Sequence, residues 1–374
     1  MLTPIIITII IMGVFLLGIF VRKRGAIEMK NSADIRRDNK KSIYRFLLED
    51  RGAVRTSRTM EQPEGERLRQ YTKQEVAAAT GLSPATCNTL LNDMERAGIV
   101  QGGRKKAGDV GRSSVLYQIR EDHEHYLALY FYVEHGKKIA VCTLLSAAGN
   151  VWAREEEACD LLDYTRLVDI IFRMTQRYGL PAQIIVGVPG IAEDGVIRHC
   201  DIPELEGEPL KRRLEDGFSI PVAMETDMHF KAYGYYRKNG RDDEVITLAY
   251  FPSHVLPGTA TIHRGTIISG SSGFAGMTGF LPSDVSREEQ LELLNPKDCL
   301  PFLVQSLSAV IVLLNPGKIV LTGDLVTDAI LLETRKKCLE YIPQEYMPEF
   351  LRVDSFDDCY LEGMFQTAVD RKEM

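Results

Sequence analysis

Apolar and polar positions change their rhythm twice along the chain. Met1 to Val21 holds no charged residue and is followed directly by Arg22, Lys23 and Arg24, the length and flank expected of a transmembrane helix whose following segment stays in the cytoplasm. A cleaved signal peptide fits less well, because the basic residues follow the apolar run. The competing reading is a protein that begins at Met29. From Ile35 the rhythm becomes helical: Ile35, Ile43, Phe46 and Leu47 share one face among Arg36, Arg37, Lys40, Lys41 and Arg45. Residues 52–70 are polar without periodicity and read as an insertion. Next, "TKQEVAAATGLSPATCNTLLNDMERAGIV" predicts a helix capped by Thr72 with Glu75 three residues on. It predicts a turn at Gly81-Leu82-Ser83 and a second helix opened by Ser83 and Pro84. Val76, Ala77, Leu82, Leu90, Leu91 and Met94 fall where two crossing helices need apolar contacts.

Beyond Arg120 strands alternate with helices. "YLALYFYV", "KKIAVCTLL" and "GNVWARE" predict a three-strand meander, "YTRLVDIIFRMTQRYG" an amphipathic helix and "AQIIVGVPG" a buried strand. A second round follows in "EVITLAYF", "GTATIHRGTII", the long helix "CLPFLVQSLSAVIVLLN" and "GKIVLTG". Two α/β lobes with a cleft between them are implied, and clefts of that kind bind ligands. The chain therefore divides into 1–28, an apolar segment; 29–120, a small helical head; and 121–374, a two-lobed α/β body.

Charge sharpens that division. Residues 29–120 carry 18 Lys and Arg against 11 Asp and Glu, whereas residues 121–374 carry 24 against 40, within a net charge of −7. A basic head on an acidic body suits a nucleic-acid reader attached to a domain that must not adhere to nucleic acid. The seven cysteines form no CxC or CxxC pair, so neither a zinc site nor a disulfide framework is indicated and a reducing cytoplasm is expected. No motif asks for a cofactor.

The head reads as a winged helix-turn-helix, with the second helix in the major groove and its first residues at base edges. Ser83, Ala85, Thr86, Asn88 and Thr89 are the candidate readers, and Asn88 has the amide that pairs with adenine. In "QGGRKKAGDVGRSSVLYQI" a strand start, a basic glycine-rich loop and a strand from Ser114 to Ile119 make a wing. Its Arg104, Lys105, Lys106 and Arg112 are expected on phosphate oxygens. The plain alternative is a small helical bundle with a basic hairpin.

From about Asp34 onward the chain resembles the ROK family, which takes in repressors, open reading frames and sugar kinases. The resemblance rests on "GVPGIAEDGVI" (187–197), "PLKRRLEDGFSIPVAMETD" (209–227), "GSSGFAGMTGF" (270–280) and "NPGKIVLTG" (315–323), in that order. It implies an actin-like fold of two α/β lobes and, with the winged head, the layout of the family's repressors of the xylose and N-acetylglucosamine type. Family kinases open the first lobe with an Asp-x-Gly-Gly-Thr turn that holds phosphates. Here "YFYVEHGKKIAV" stands in its place, and the second phosphate loop reads "HVLPGTA", with a proline that donates no N–H. Phosphoryl transfer depends on positioning and charge neutralisation, so both departures imply a catalytically inactive body.

On the sugar side, the family's Asn-Asp pair reads Thr226-Asp227. Met277 and Phe280 replace the Glu and His that contact hydroxyls, and the Cys set of the family's zinc site is missing. Asp227, Gly273, Gly276 and Met277 are the candidate effector-binding set. For Asp227 the alternative is a carboxylate serving backbone donors at the next helix start. His229 and His263 read as interior or rim histidines, Tyr233, Tyr235 and Tyr236 as packing or subunit-contact residues, and Trp152 as core. The expected partners are a duplex operator, a second copy in a homodimer or homotetramer, and a sugar, sugar phosphate or protein effector. The competing functions are a sugar kinase and a membrane-tethered signalling or scaffold protein.

Overall fold

The computed structural model describes residues 31–49, 68–104, 115–134, 136–241, 243–372 and 374. The apolar N-terminal segment and most of the polar insertion lie outside these residues. Among the described residues, no helix is long and apolar enough to cross a membrane.

The head comprises α1 (Ser32–Glu49), β1 (Tyr71–Thr72), α2 (Lys73–Thr80), α3 (Pro84–Arg96), β2 (Val100–Arg104) and β3 (Val115–Ile119). Thr72 and Glu75 close both arms of a capping box on α2, and Gly81 ends that helix at φ 67°, a left-handed turn that glycine adopts without penalty. Ser83 caps α3 and Pro84 is its first residue. The wing strands pair antiparallel, and β1 adds a third strand beside β3 that the apolar pattern does not announce.

The first lobe contains β4 (His125–Glu134), β5 (Lys137–Ser146), β6 (Val151–Cys159), α4 (Tyr164–Tyr178), β7 (Gln183–Val188), β8 (Ile191–Glu193), β9 (Val196–Arg198), α5 (Leu210–Phe218), β10 (Val222–Thr226) and α6 (Asp227–Asn239). The second contains β11 (Val245–Tyr250), β12 (Gly258–His263), β13 (Thr266–Ile267), α7 (Arg287–Leu293), α8 (Leu300–Leu314), β14 (Lys318–Thr322), α9 (Asp328–Cys338) and β15 (Glu349–Arg352), and α10 (Asp357–Arg371) ends the chain. The sheets run β10-β7-β4-β5-β6 and β13-β12-β11-β14-β15. Each is an antiparallel meander extended by two parallel strands from its first member. The same topology twice over is the two-lobed body expected from the alternating pattern.

Helix α10 is one of several elements, with α7, α9 and β15, that the sequence reading does not predict. It packs on α6 so closely that a Cβ on Gly234 would lie 1.8 Å from Cys359 O, and one on Gly363 would lie 1.9 Å from Phe230 O. Its Tyr360, Leu361, Met364, Phe365, Ala368 and Val369 join a single apolar core that also includes Ile43, Tyr44 and Leu47 of α1. Head and body therefore share a core. Trp152 corrects the expectation of a core residue: it is 42% exposed, because it alternates outward on β6.

Candidate nucleic-acid interface and inter-lobe site

Helix α3 buries Cys87, Leu90, Leu91 and Met94 and turns its other face outward. Ser83, Ala85, Asn88 and Thr89 are exposed and Thr86 is half-buried. The Ser83 hydroxyl accepts from Thr86 N at 3.1 Å and meets the Thr86 hydroxyl at 2.8 Å, while Thr89 donates to Ala85 O at 3.0 Å. The predicted readers thus lie together at one helix start. Asn88 is not a free amide, however: its Oδ1 accepts from the Lys73 ammonium, which also donates to Asn92 at 2.9 Å. Lys73 and Asn92 were missed; the signal available was Lys73 at the first position of α2, beside the helix crossing. Arg104 ends β2. The Arg104 side chain, Lys105, Lys106 and Arg112 lie outside the described residues.

In the body, the β4–β5 hairpin is packed with aromatic side chains. Tyr130 on β4 is 6% exposed, accepts from Arg154 at 3.0 Å, and packs its ring 4.7 Å from that of Tyr360 at the start of α10. The Lys231 ammonium lies 5.0 Å from the Tyr360 ring and 5.3 Å from that of Tyr250. Burial pushes the Tyr250 phenol up to about 12, helped by the charges of Asp324 and Asp227. In the second loop, Pro257 O accepts from Gly279 N at 3.0 Å.

Asp227 is the first residue of α6. One carboxylate oxygen accepts from Met228 N at 2.7 Å and the other from Lys231 at 2.5 Å, so it serves its own helix start and a lysine that sequence reasoning did not single out. The other three candidates lie across from it on the glycine-rich loop. Gly273 has φ 78° and faces Ile191 and Ala192 of the first lobe, while Gly276 has φ 93° and a Cβ there would lie 2.1 Å from Thr259 O. Met277 is half-buried, its N bonded to Phe274 O at 3.2 Å. Phe280 stands edge-on to His199 and to Phe274, each at 5.3 Å, with Arg287 at 4.9 Å from its ring. The Phe280–His199 contact therefore bridges the lobes beside this loop. His229 is interior, bonded to Glu225 at 3.0 Å, and Tyr233 and Tyr235 pack as expected.

Residues 130–299 match the ROK family and residues 70–101 match the winged helix-turn-helix DNA-binding family. The chain is 27% identical over 138 residues to an N-acetyl-D-glucosamine kinase of Vibrio cholerae, covering 34% of this chain and 44% of that protein. It is 23% identical over 267 residues to a provisionally named xylose repressor of Caldicellulosiruptor sp., covering 68% and 61%. The chain thus spans less than two thirds of either relative. Among solved structures, a ROK family transcriptional regulator described as a homologue of the E. coli MLC protein matches with TM-score 0.57 at 14% identity, over 90% of this chain and all of that one. A ROK hexokinase from Thermus thermophilus matches with TM-score 0.51 at 16% identity, over 65% and 97%. These likenesses establish a shared fold.

Proposed function

We propose that this chain is a DNA-binding transcriptional regulator of the ROK repressor type, with a body that senses or assembles and does not phosphorylate; the matches of residues 70–101 to the winged helix-turn-helix family and of residues 130–299 to the ROK family support it. The observation that carries the reading is the start of α3. A capping box, a left-handed glycine turn, a serine cap and a proline at the first helical position present small polar side chains outward from a rigid two-helix corner, the geometry that major-groove reading requires. The basic residues of the wing supply phosphate contacts on the same module. The match to a repressor along 68% of this chain supports the reading.

For the body, the Tyr130, Tyr360 and Lys231 cluster replaces backbone donors and a carboxylate with aromatic rings and an ammonium already engaged by Asp227. Aromatic rings and an ammonium engaged by a neighbouring carboxylate are a poor cradle for magnesium and a terminal phosphate. The cytoplasm, a homodimer or homotetramer on a duplex operator, and a cleft effector of sugar or sugar-phosphate type complete the proposal. The test is a pair of assays on the full chain. It enriches a recurring motif from random duplex DNA, and it transfers no phosphate from ATP to any hexose. Hexose-dependent ATP turnover without duplex enrichment would place the chain among the kinases instead.

A further inference from the structure

We propose that α10 is a strut that sets the position of the head from the state of the inter-lobe cleft, with Tyr360 at its start registering the cleft and Asp370 and Lys372 at its end clamping the head. The proposal rests on the reading of the head as the DNA reader for its purpose, but not for its geometry.

The cleft end is unusual in its chemistry. Tyr360 Oη is fully enclosed and, among the described residues, has no hydrogen-bond partner. It lies against Gly187 of β7, where a Cβ would come within 2.0 Å of the hydroxyl. Gly187 is in register with Tyr130 on β4 and Glu225 on β10. A buried hydroxyl without a partner is destabilised until it finds one, so the strut is poised to respond to whatever rearranges this corner.

The far end holds the head. Asp370 accepts from Arg45 of α1 at 2.7 Å and from Tyr233 of α6, and its carbonyl accepts from Lys41 at 3.4 Å. Lys372 pairs with Glu124, meets His123 Nε2 at 3.2 Å, and lies 5.1 Å above the ring of Tyr44. Tyr44 in turn donates to Ala147 O of the body at 2.7 Å. Between the two ends, backbone contact at Gly234 and Gly363 prevents α10 from sliding past α6. Locked together there, α10 and α6 move as one unit, so a displacement at Tyr360 reaches Asp370, ten residues and about 15 Å further along the helix.

Hydrogen exchange on the full chain tests this without DNA or a ligand. Gly187→Ala pushes on Tyr360; it is expected to speed exchange of α1 amides about tenfold or more while those of β11 (Val245–Tyr250) hold their rate, and adding Tyr360→Ala is expected to restore α1. The clamp variant Asp370→Asn with Lys372→Met is expected to loosen α1 alone. Unchanged α1 exchange in Gly187→Ala, or a loosened α1 that Tyr360→Ala leaves loosened, would overturn the strut. Should Gly187→Ala unfold the whole chain, seen as equal acceleration in β11, the clamp variant decides: unchanged α1 exchange there overturns the proposal. Failure of the wild-type chain to bind duplex DNA would remove the DNA-reading function and leave these exchange results standing.

Discussion

Lys73, the first residue of α2, donates from its ammonium to Oδ1 of Asn88 on the recognition helix, 15 residues later. The same ammonium donates to Asn92 at 2.9 Å and lies 5.3 Å from the ring of Tyr117 on the wing. Lysine, amide and wing tyrosine thus form one unit that holds the Asn88 side chain in place. Bidentate reading of adenine needs the amide oxygen as acceptor as well as the amide nitrogen as donor. Lys73→Met is expected to free that oxygen and change the preferred base at one position. Asn88→Ala is expected to erase preference there at about 1–3 kcal/mol. Sequence profiles of the bound duplexes, wild type against each variant, check both.

Arg104→Ala combined with Lys105→Ala is expected to reduce the slope of log affinity against log salt by about 2, since each phosphate contact contributes about 0.9. Anisotropy titrations between about 50 and 200 mM salt measure it. An unchanged slope removes the wing from the phosphate contacts.

The head was legible because its signals are local. A cap, a glycine turn and a serine-proline start each act within four residues, and the structure shows all three. The two lobes were legible from apolar rhythm. What escaped depends on partners far along the chain. In "DDCYLEGMFQTAVDR" the buried face includes Glu362 and Gln366, which bond to each other at 2.8 Å, so polar letters concealed a core helix. Asn88 looked free because its lysine precedes it by four turns' worth of sequence. Trp152 was misjudged because outward alternation on an edge strand outweighed its apolar character. Of the candidates on the glycine-rich loop, Gly273 faces Ile191 of the first lobe, whereas Gly276 packs on Thr259 of its own lobe.

Gly276→Ala tests whether that loop's glycines are kept for its shape. At φ 93° a Cβ would lie 2.1 Å from Thr259 O, and the Gly276 carbonyl accepts from both Thr259 N at 2.8 Å and Thr259 Oγ1 at 3.0 Å. Strain and broken contacts together predict a loss of at least ~2 kcal/mol, read from urea midpoints. A neutral substitution would mean that the loop shape is dispensable.

Glu124 provides a pH signature for the contact between the end of α10 and the start of β4. Burial alone would raise its carboxyl, but hydrogen bonds from His123, Lys372 and Tyr126 and the charge of Lys372 bring it down to about 2. A depressed carboxyl contributes stability that is fully present above the ordinary value of 4.5 and is lost as pH falls toward 2. Glu124→Gln is therefore expected to cost on the order of 3 kcal/mol at pH 7, with the gap to wild type narrowing progressively below about pH 4.5. Urea unfolding at neutral pH and at stepwise lower pH gives the comparison. A gap that stays constant with pH would contradict the pairing.

The proposed function stands on α3 entering the major groove of duplex DNA. Selection from a random-sequence duplex pool by the full chain, run beside a Ser83→Glu, Thr89→Glu variant that turns carboxylates toward the groove, tests it most directly. A recurring motif enriched by wild type and lost in the variant is the predicted result. No enrichment by wild type, or the same motif from both, would show that α3 does not read DNA.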